Sequence, residues 1–274
     1  MNKLQSLQCE MLEKLICLLE ENNIDYWLAY GSVLGAVRHN GFIPWDDDID
    51  VYINGKDYPK LRILFKEGPI GNLRLDDAFL CGDYPYTFPK VVDCRTCLIE
   101  KRFEKCKYMG GVYIDVFPLY SVRNSKLLRS IGYFTKYCKY AIVESHYYDK
   151  SEASLLRKMI IMILKLFSKD KAQAHLFARY CKGFTQSDKY LSEPLQFNDK
   201  NLHKKEHFDG FKLHKFENLE VRIPGNPHDY LVEQYGEYMK LPPADKRVSC
   251  HSFVYVEFPD GSVLKENEEK CNSD

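Results

Sequence analysis

The sequence predicts an α/β chain of the α+β kind, with a mixed β-sheet flanked by helices and interrupted by a helical insertion. Three observations lead there. β-rich runs at 24–30, 48–53, 87–100 and 110–118 alternate with helical periodicity through the first 120 residues. From 122 to 184 the composition turns basic and carries a long helical pattern. A strand-like run followed by a helix-like run then returns at 216–240. The expected organisation is one domain made of 1–121 and 185–265, an insertion at 122–184 and a flexible tail at 266–274.

Leu4, Leu7, Met11, Leu12, Leu15, Ile16, Leu18 and Leu19 recur at helical spacing, so 2–22 reads as an amphipathic helix ended by Asn22-Asn23. Ile24 to Tyr30 is aromatic and β-rich and reads as the first core strand. Val33 to Asn40 reads as a short helix closed by Gly41. Asp48 to Ile53 follows as a strand and Lys56 to Lys66 as a helix. Residues 87–100 suggest strand pairing, and Gly110 to Pro118 a further strand with one acid, Asp115, among apolar neighbours. Beyond the insertion, Phe216 to Ile223 reads as a strand, Pro224-Gly225-Asn226-Pro227 as a turn and His228 to Lys240 as a helix.

Lys plus Arg and Asp plus Glu number 39 each, so no overall signature of polyanion or nucleic-acid binding is present. The stretch Met1–Glu20 carries acids rather than a cationic start and apolar block, and no run approaches the roughly 18 apolar residues of a membrane span. A cytoplasmic protein is expected, its ten cysteines reduced. Cys94-x-x-Cys97 with Cys106 has a zinc-like first spacing but no matching second pair. His203-Lys204-Lys205-Glu206-His207 fits H-x-x-E-H, yet lies in a polar stretch cut off by Asp209-Gly210, where a zinc-binding helix has no room.

The chemistry concentrates at Gly31-Ser32 and at Asp46-Asp47-Asp48-Ile49-Asp50. A glycine-serine turn at a helix start lets a phosphate approach backbone N–H groups. Carboxylates at i and i+2 of a strand share a face, so Asp48 and Asp50 are candidates to share a hard divalent cation. A run of acids is usually a solvated loop, but Ile49 and Val51 embed these two in apolar sequence. Asp46 and Asp47 would shape the loop or hold metal-bound water. Asp115 is either a buried acid paired with Lys or Arg, or a third ligand and base. Three acids on neighbouring strands beside a Gly-Ser helix start is the pattern of the nucleotidyltransferase fold.

The run from Gly31-Ser32-x-Leu34-Gly35-Ala36-Val37-Arg38-His39 through Gly41-Phe42-Ile43-Pro44-Trp45-Asp46-Asp47-Asp48-Ile49-Asp50 closely resembles the LicD family, which includes bacterial phosphocholine transferases and is related to fukutin and fukutin-related protein. The resemblance continues at Ile114 to Leu119, at Ile223 to Met239, and at Pro242-Pro243 with Arg247 and His251, but not across 122–210. It implies a nucleotidyltransferase-like fold with Mg²⁺ or Mn²⁺ on Asp48, Asp50 and Asp115. It also implies transfer of a phospho-alcohol (phosphocholine, or ribitol or glycerol phosphate) from a CDP-linked donor to a sugar hydroxyl of a cell-surface glycan, often lipid-linked, with release of CMP. Gly31, Ser32, Arg38, His39, Lys90, Arg247 and His251 become candidates for donor binding. For Arg38 and His39 the alternative is a cation pair at a helix C-terminus, and for Lys90 a solvated strand-edge lysine. Trp45 would stack on a base or plug the core. Other readings of the chain are nucleotidyl transfer from an NTP to a small hydroxyl compound and a non-catalytic binding subunit.

Between 123 and 171 eleven Lys or Arg face four Asp or Glu, around the apolar run 159–167. The run reads as the buried face of a helical insertion or as a peripheral contact with the inner face of a membrane.

Overall fold

The computed structural model describes residues 1–81, 84–86, 88–104, 106–122, 124–125, 155–164, 189–193, 202–249 and 251–265, with isolated residues 127, 130, 134 and 166. Most of the expected insertion and the whole of the tail 266–274 lie outside them.

Helix α1 (Lys3–Glu21) opens the chain, its first turn closed by a reciprocal capping box between Asn2 and Gln5. Leu7, Met11, Leu12, Leu15 and Leu19 form its buried stripe. Strand β1 (Tyr26–Leu28) is shorter than the β-rich run, because the chain turns into helix α2 (Tyr30–His39) at once. Tyr30 makes that turn with φ +40°, an uncommon conformation for an aromatic residue. Gly31 and Ser32 therefore occupy the first turn of α2 rather than a loop before it. Helix α2 ends on Asn40 in the left-handed conformation, one residue before the expected Gly41; Asn is the non-glycine residue that best accepts this geometry.

Strand β2 (Asp50–Asn54), helix α3 (Tyr58–Leu64), strands β3 (Leu73–Asp76), β4 (Lys90–Asp93) and β5 (Cys97–Glu100), and the long β6 (Tyr113–Ser121) follow. Asp48 lies just before β2, not on it. Residues 87–100 give two strands in different sheets, since the chain turns at Cys94-Arg95. Helix α4 (Leu155–Leu164) lies between β6 and strands β7 (Tyr190–Ser192) and β8 (Leu202–Lys204). The expected strand 216–223 is one arm of a hairpin, β9 (Phe211–Phe216) with β10 (Leu219–Pro224). Helix α5 (Pro227–Tyr235) starts with Pro at its first position and Asn226 as its cap, followed by β11 (Phe253–Glu257) and β12 (Val263–Lys265).

The main sheet runs β1-β2-β6-β4-β3, with β7 pairing β6 and β8 pairing β7. Strands β2 and β6 are parallel and the other pairs antiparallel, so the sheet is mixed and flanked by helices, as the sequence predicts. A second, three-stranded sheet, β12-β11-β5, returns the C-terminal segment to the first half of the chain. No helix among the described residues is long and apolar enough to cross a membrane.

Two contacts lock α2 against the acidic loop. A Cβ at Gly35 would fall on the carbonyl oxygen of Gly41. One at Gly31 would stand 2.8 Å from Oδ2 of Asp46. Alanine normally improves a helix over glycine by about 1 kcal/mol, but backbone overlap in a packed interior costs about 1–3 kcal/mol. Gly35→Ala is therefore expected to lower the urea midpoint; an unchanged or raised midpoint would show that α2 can move away from Gly41.

Candidate active site

Strand register builds the site. Asp50 on β2 lies opposite Asp115 on β6, and Asp115 lies opposite Lys90 on β4. Side chains opposite one another across adjacent strands share a face, so two acids and a lysine stand in one row. Asp48 reaches the same place from the segment before β2. One carboxylate oxygen from each of Asp48, Asp50 and Asp115 lies within 4.8 Å of the others.

Polar groups from outside the sheet hold this arrangement. The Ser32 hydroxyl, buried in the first turn of α2, accepts the Asp50 backbone N–H at 2.9 Å. Gln5 and Gln8, buried on α1, donate to the carbonyl oxygens of Asp46 (2.9 Å) and Asp47 (3.0 Å), and Gln8 also to that of Tyr113 (3.2 Å). Helix α1 thus pins the acidic loop to the start of β6. Pairing of β11 with β5 sets Phe253 opposite Glu100 and delivers His251 to the acids. There Nδ1 of His251 lies 2.7 Å from Oδ1 of Asp47, and Nε2 lies 3.6 Å from Oδ2 of Asp48. Asp47, Asp48 and His251 form a second group of ligand atoms within 4.8 Å, sharing Asp48 with the first.

Charge governs the chemistry. Burial and the neighbouring Asp46 carboxylate hold Asp48 well above the usual carboxylate range, and burial with Asp48 and Asp115 does the same to Asp50. Asp115 is raised by burial, partly offset by the Lys90 ammonium 2.8 Å from its Oδ1. The Asp47 hydrogen bond pushes His251 up to about 9 against the opposing effect of burial. Crowded, oxygen-only carboxylates match the donor set of a hard divalent cation such as Mg²⁺ or Mn²⁺.

The other candidates divide. Lys90 and His251 stand against the acids, and Gly31 packs on Asp46. His39 and Arg247 meet instead at Trp45, and the Arg38 Nε–H donates to Nε2 of His39 at 2.9 Å. The Arg38 Nη1–H donates to the Tyr238 carbonyl at 2.8 Å, the His39 ring meets Trp45 edge-on, and the Arg247 guanidinium lies 5.8 Å from the Trp45 ring centroid. Burial lowers Arg38, and burial with the Arg38 charge lowers His39, which favours a neutral imidazole. The H-x-x-E-H motif is not on an α-helix: His203 is on β8, where burial drops it to about 3, and His207 pairs with Glu233 at 2.9 Å.

Residues 23–160, half of the chain, match the family model described as LicD/FKTN/FKRP, nucleotidyltransferase domain. The chain belongs to this family. It is 28% identical over 262 residues to the lipopolysaccharide cholinephosphotransferase LicD of Haemophilus influenzae, covering 90% of this chain and 94% of that protein. Over 44 residues, 16% of this chain and 9% of the relative, it is 46% identical to the human ribitol 5-phosphate transferase FKRP. An uncharacterized protein of Rickettsia prowazekii, RP689, is 58% identical over 40 residues, 15% of each chain. As a member of a family of phospho-alcohol transferases, the chain is an enzyme of the transferase class.

Several site residues carried no sequence signal. Gln5 and Gln8 look like the polar face of α1. Glu193 sits beyond the insertion, yet β7 brings it beneath the acids, where its carboxylate takes the Tyr30 hydroxyl and adds to the repulsion on Asp50. A buried acid spaced from its partners by a whole insertion has no local pattern.

The raised carboxylates bind protons more tightly folded than unfolded. Metal-free stability therefore falls as pH climbs above the ordinary carboxylate range of about 4, and the gain from a cation grows over the same interval. At neutral pH, removing one buried like charge by Asp48→Asn is expected to raise the metal-free melting temperature by about 2–6 °C. Mg²⁺ or Mn²⁺ should raise that of the parent and leave the variant nearly unmoved. Thermal melts with EDTA or metal check this, and equal metal shifts in both proteins would remove Asp48 from the ligand set.

Proposed function

We propose that this protein transfers a phospho-alcohol (phosphocholine, or ribitol or glycerol phosphate) from a CDP-linked donor to a sugar hydroxyl of a cell-surface glycan. The observation that carries the reading is the convergence of Asp48, Asp50 and Asp115 beside Lys90, carboxylates that repel one another unless a cation joins them. The full-length likeness to a lipopolysaccharide cholinephosphotransferase supports the same class of chemistry.

Asp48, Asp50 and Asp115 would hold Mg²⁺ or Mn²⁺, which supplies positive charge against phosphoryl oxygens and makes a nearby hydroxyl more acidic. Lys90, fixed on Asp115, offers its ammonium to a donor phosphate. The first turn of α2, with Gly31 and Ser32, offers backbone N–H groups beside Asp46. Arg38, His39 and Arg247 would meet the more distant part of the donor. The acceptor oxygen attacks the phosphorus that bears the alcohol, the bridging bond to CMP breaks, and the hydroxyl proton passes to Asp115.

In a test on the purified chain, CMP should be released from at least one of CDP-choline, CDP-glycerol, CDP-ribitol and CDP-ethanolamine when Mn²⁺ or Mg²⁺ is present. EDTA should abolish release, and Asp48→Asn should lower it by about 10²–10³-fold. Pyrophosphate released from an NTP would move the reading to nucleotidyl transfer. Failure to bind any CDP compound would support a non-catalytic role.

The reaction is set in the cytoplasm, at the inner face of a membrane that presents a lipid-linked acceptor. Met159, Ile160, Met162 and Ile163 on α4 are exposed, and the surrounding sequence is strongly basic, which suits an anionic bilayer. Co-sedimentation with vesicles containing phosphatidylglycerol should exceed that with neutral vesicles, and no sedimentation with either would sink the membrane contact.

A further inference from the structure

The strained residue that opens helix α2 sits one rung of the sheet from the acids. Tyr52 follows Asp50 by two residues on β2, Phe117 follows Asp115 by two on β6, and the two rings lie opposite one another. Residues i and i+2 of a strand share a face, so these rings form the rung next to the acidic one, about 6.6 Å along the strands. The Tyr30 ring packs on both, its centroid 5.2 Å from that of Tyr52 and 5.4 Å from that of Phe117. Its backbone meanwhile starts α2 at φ +40°.

Hydrogen bonds at both ends aim that residue. The Tyr230 hydroxyl accepts its backbone N–H at 3.0 Å, and a carboxylate oxygen of Glu193 accepts its hydroxyl. Glu193 is 1% exposed and follows β7, whose pairing with β6 sets Ser192 opposite Tyr120. Burial and then the Glu193 charge hold the Tyr30 phenol well above its usual range, so the phenol donates and Glu193 accepts. Phenylalanine would fill the same ring space; what the hydroxyl adds is a direction. A buried carboxylate is a costly acceptor, and the turn it aims is the one that serves the acids. In that turn the Ser32 hydroxyl accepts the Asp50 N–H at 2.9 Å. Ala29, the N-cap, supplies no side-chain acceptor, so helix geometry leaves the Gly31 and Ser32 N–H groups directed out of the helix end.

We infer that Glu193 is a positioning residue of the active site: through the Tyr30 hydroxyl it sets the turn that presents the Gly31 and Ser32 N–H groups and anchors Asp50. The donor-phosphate half of this inference rests on the phospho-alcohol transfer proposed above; the Asp50 half rests on the cation site alone. Glu193 acts through Tyr30, without touching donor or cation. When the bond is removed, the ring keeps its place on Tyr52 and Phe117, but the left-handed turn loses a fastening and relaxes towards ordinary helical geometry. Ser32 moves with that turn, and the backbone of Asp50 loses its fixed partner.

The test compares Tyr30→Phe, Glu193→Leu and Glu193→Gln with the parent, each as the full chain and shown to be folded by circular dichroism. Isothermal titration, well below the melting temperature, gives Mn²⁺ affinity without nucleotide and CDP affinity with saturating Mn²⁺. Tyr30→Phe and Glu193→Leu are expected to weaken both by about five- to tenfold, the worth of one buried hydrogen bond. Glu193→Gln lacks the charge, as leucine does, but still offers an acceptor, so it should recover most of that loss. The double variant Tyr30→Phe/Glu193→Leu should bind no more weakly than either single one. If Glu193→Leu does not fold, Tyr30→Phe, which changes neither charge nor ring, decides alone. Unchanged affinities beside a lowered melting temperature would reduce the pair to a prop of the fold and overturn the inference. A loss in Glu193→Gln equal to that in Glu193→Leu overturns it too, because charge rather than aim is then the cause. If the parent fails to bind CDP, the donor reading falls, and the Mn²⁺ affinities uphold or overturn the role of Glu193 through Asp50.

Discussion

Mutual repulsion among buried carboxylates is the constraint around which this protein is built. Asp48, Asp50 and Asp115 come from two chain segments and would relax apart if their backbones were free. They are not free. Asp50 and Asp115 are fixed by parallel strand register in the middle of the sheet, where a shift of one strand by one residue would turn its acid to the opposite face, away from the other. Asp48 is held by a loop whose carbonyls are tied down by two glutamines of α1. The cost of the crowding is carried by elements far from it in sequence.

A layer of buried polar aromatics supports α2 where it meets the acids. The Tyr230 hydroxyl accepts the Tyr30 backbone N–H at 3.0 Å and lies 3.3 Å from the Tyr52 hydroxyl, which in turn lies 3.1 Å from Nε2 of His203. Burial at full depth keeps these tyrosines protonated. The strained turn at Tyr30 is fastened at its backbone by Tyr230 and at its hydroxyl by Glu193. Such a network holds one geometry because each member would be left unsatisfied in any other.

How far the sequence could be read follows from the range of its signals. Helix α1, the β1–α2–β2 unit, β6 and the acids Asp48, Asp50 and Asp115 were legible because their patterns are local: heptad-like leucines, a Gly-Ser pair, and acids flanked by isoleucine and valine. Strands β3, β7, β8, β11 and β12 are only three to five residues long and find their partners far along the chain, so no window contains their reason for existing. The roles of Lys90 and His251 were open for the same reason. Lys90 looked like an edge residue until β4 proved to lie between β3 and β6, and His251 depends on β11 pairing with β5. The boundary at Gly41 was misjudged by one residue, since asparagine can close a helix as glycine does.

The Val122 backbone N–H donates to the Tyr190 carbonyl, and Tyr120 lies opposite Ser192, so the chain leaves and rejoins the sheet at neighbouring points. The excursion between these two points is thereby tied to the sheet at both of its ends. Doubling or halving such an excursion changes its closure cost by only about 0.6 kcal/mol. Loop closure therefore sets little limit on how much chain is carried between these two points. The same junction offers a natural seam for grafting one member's excursion onto another's sheet.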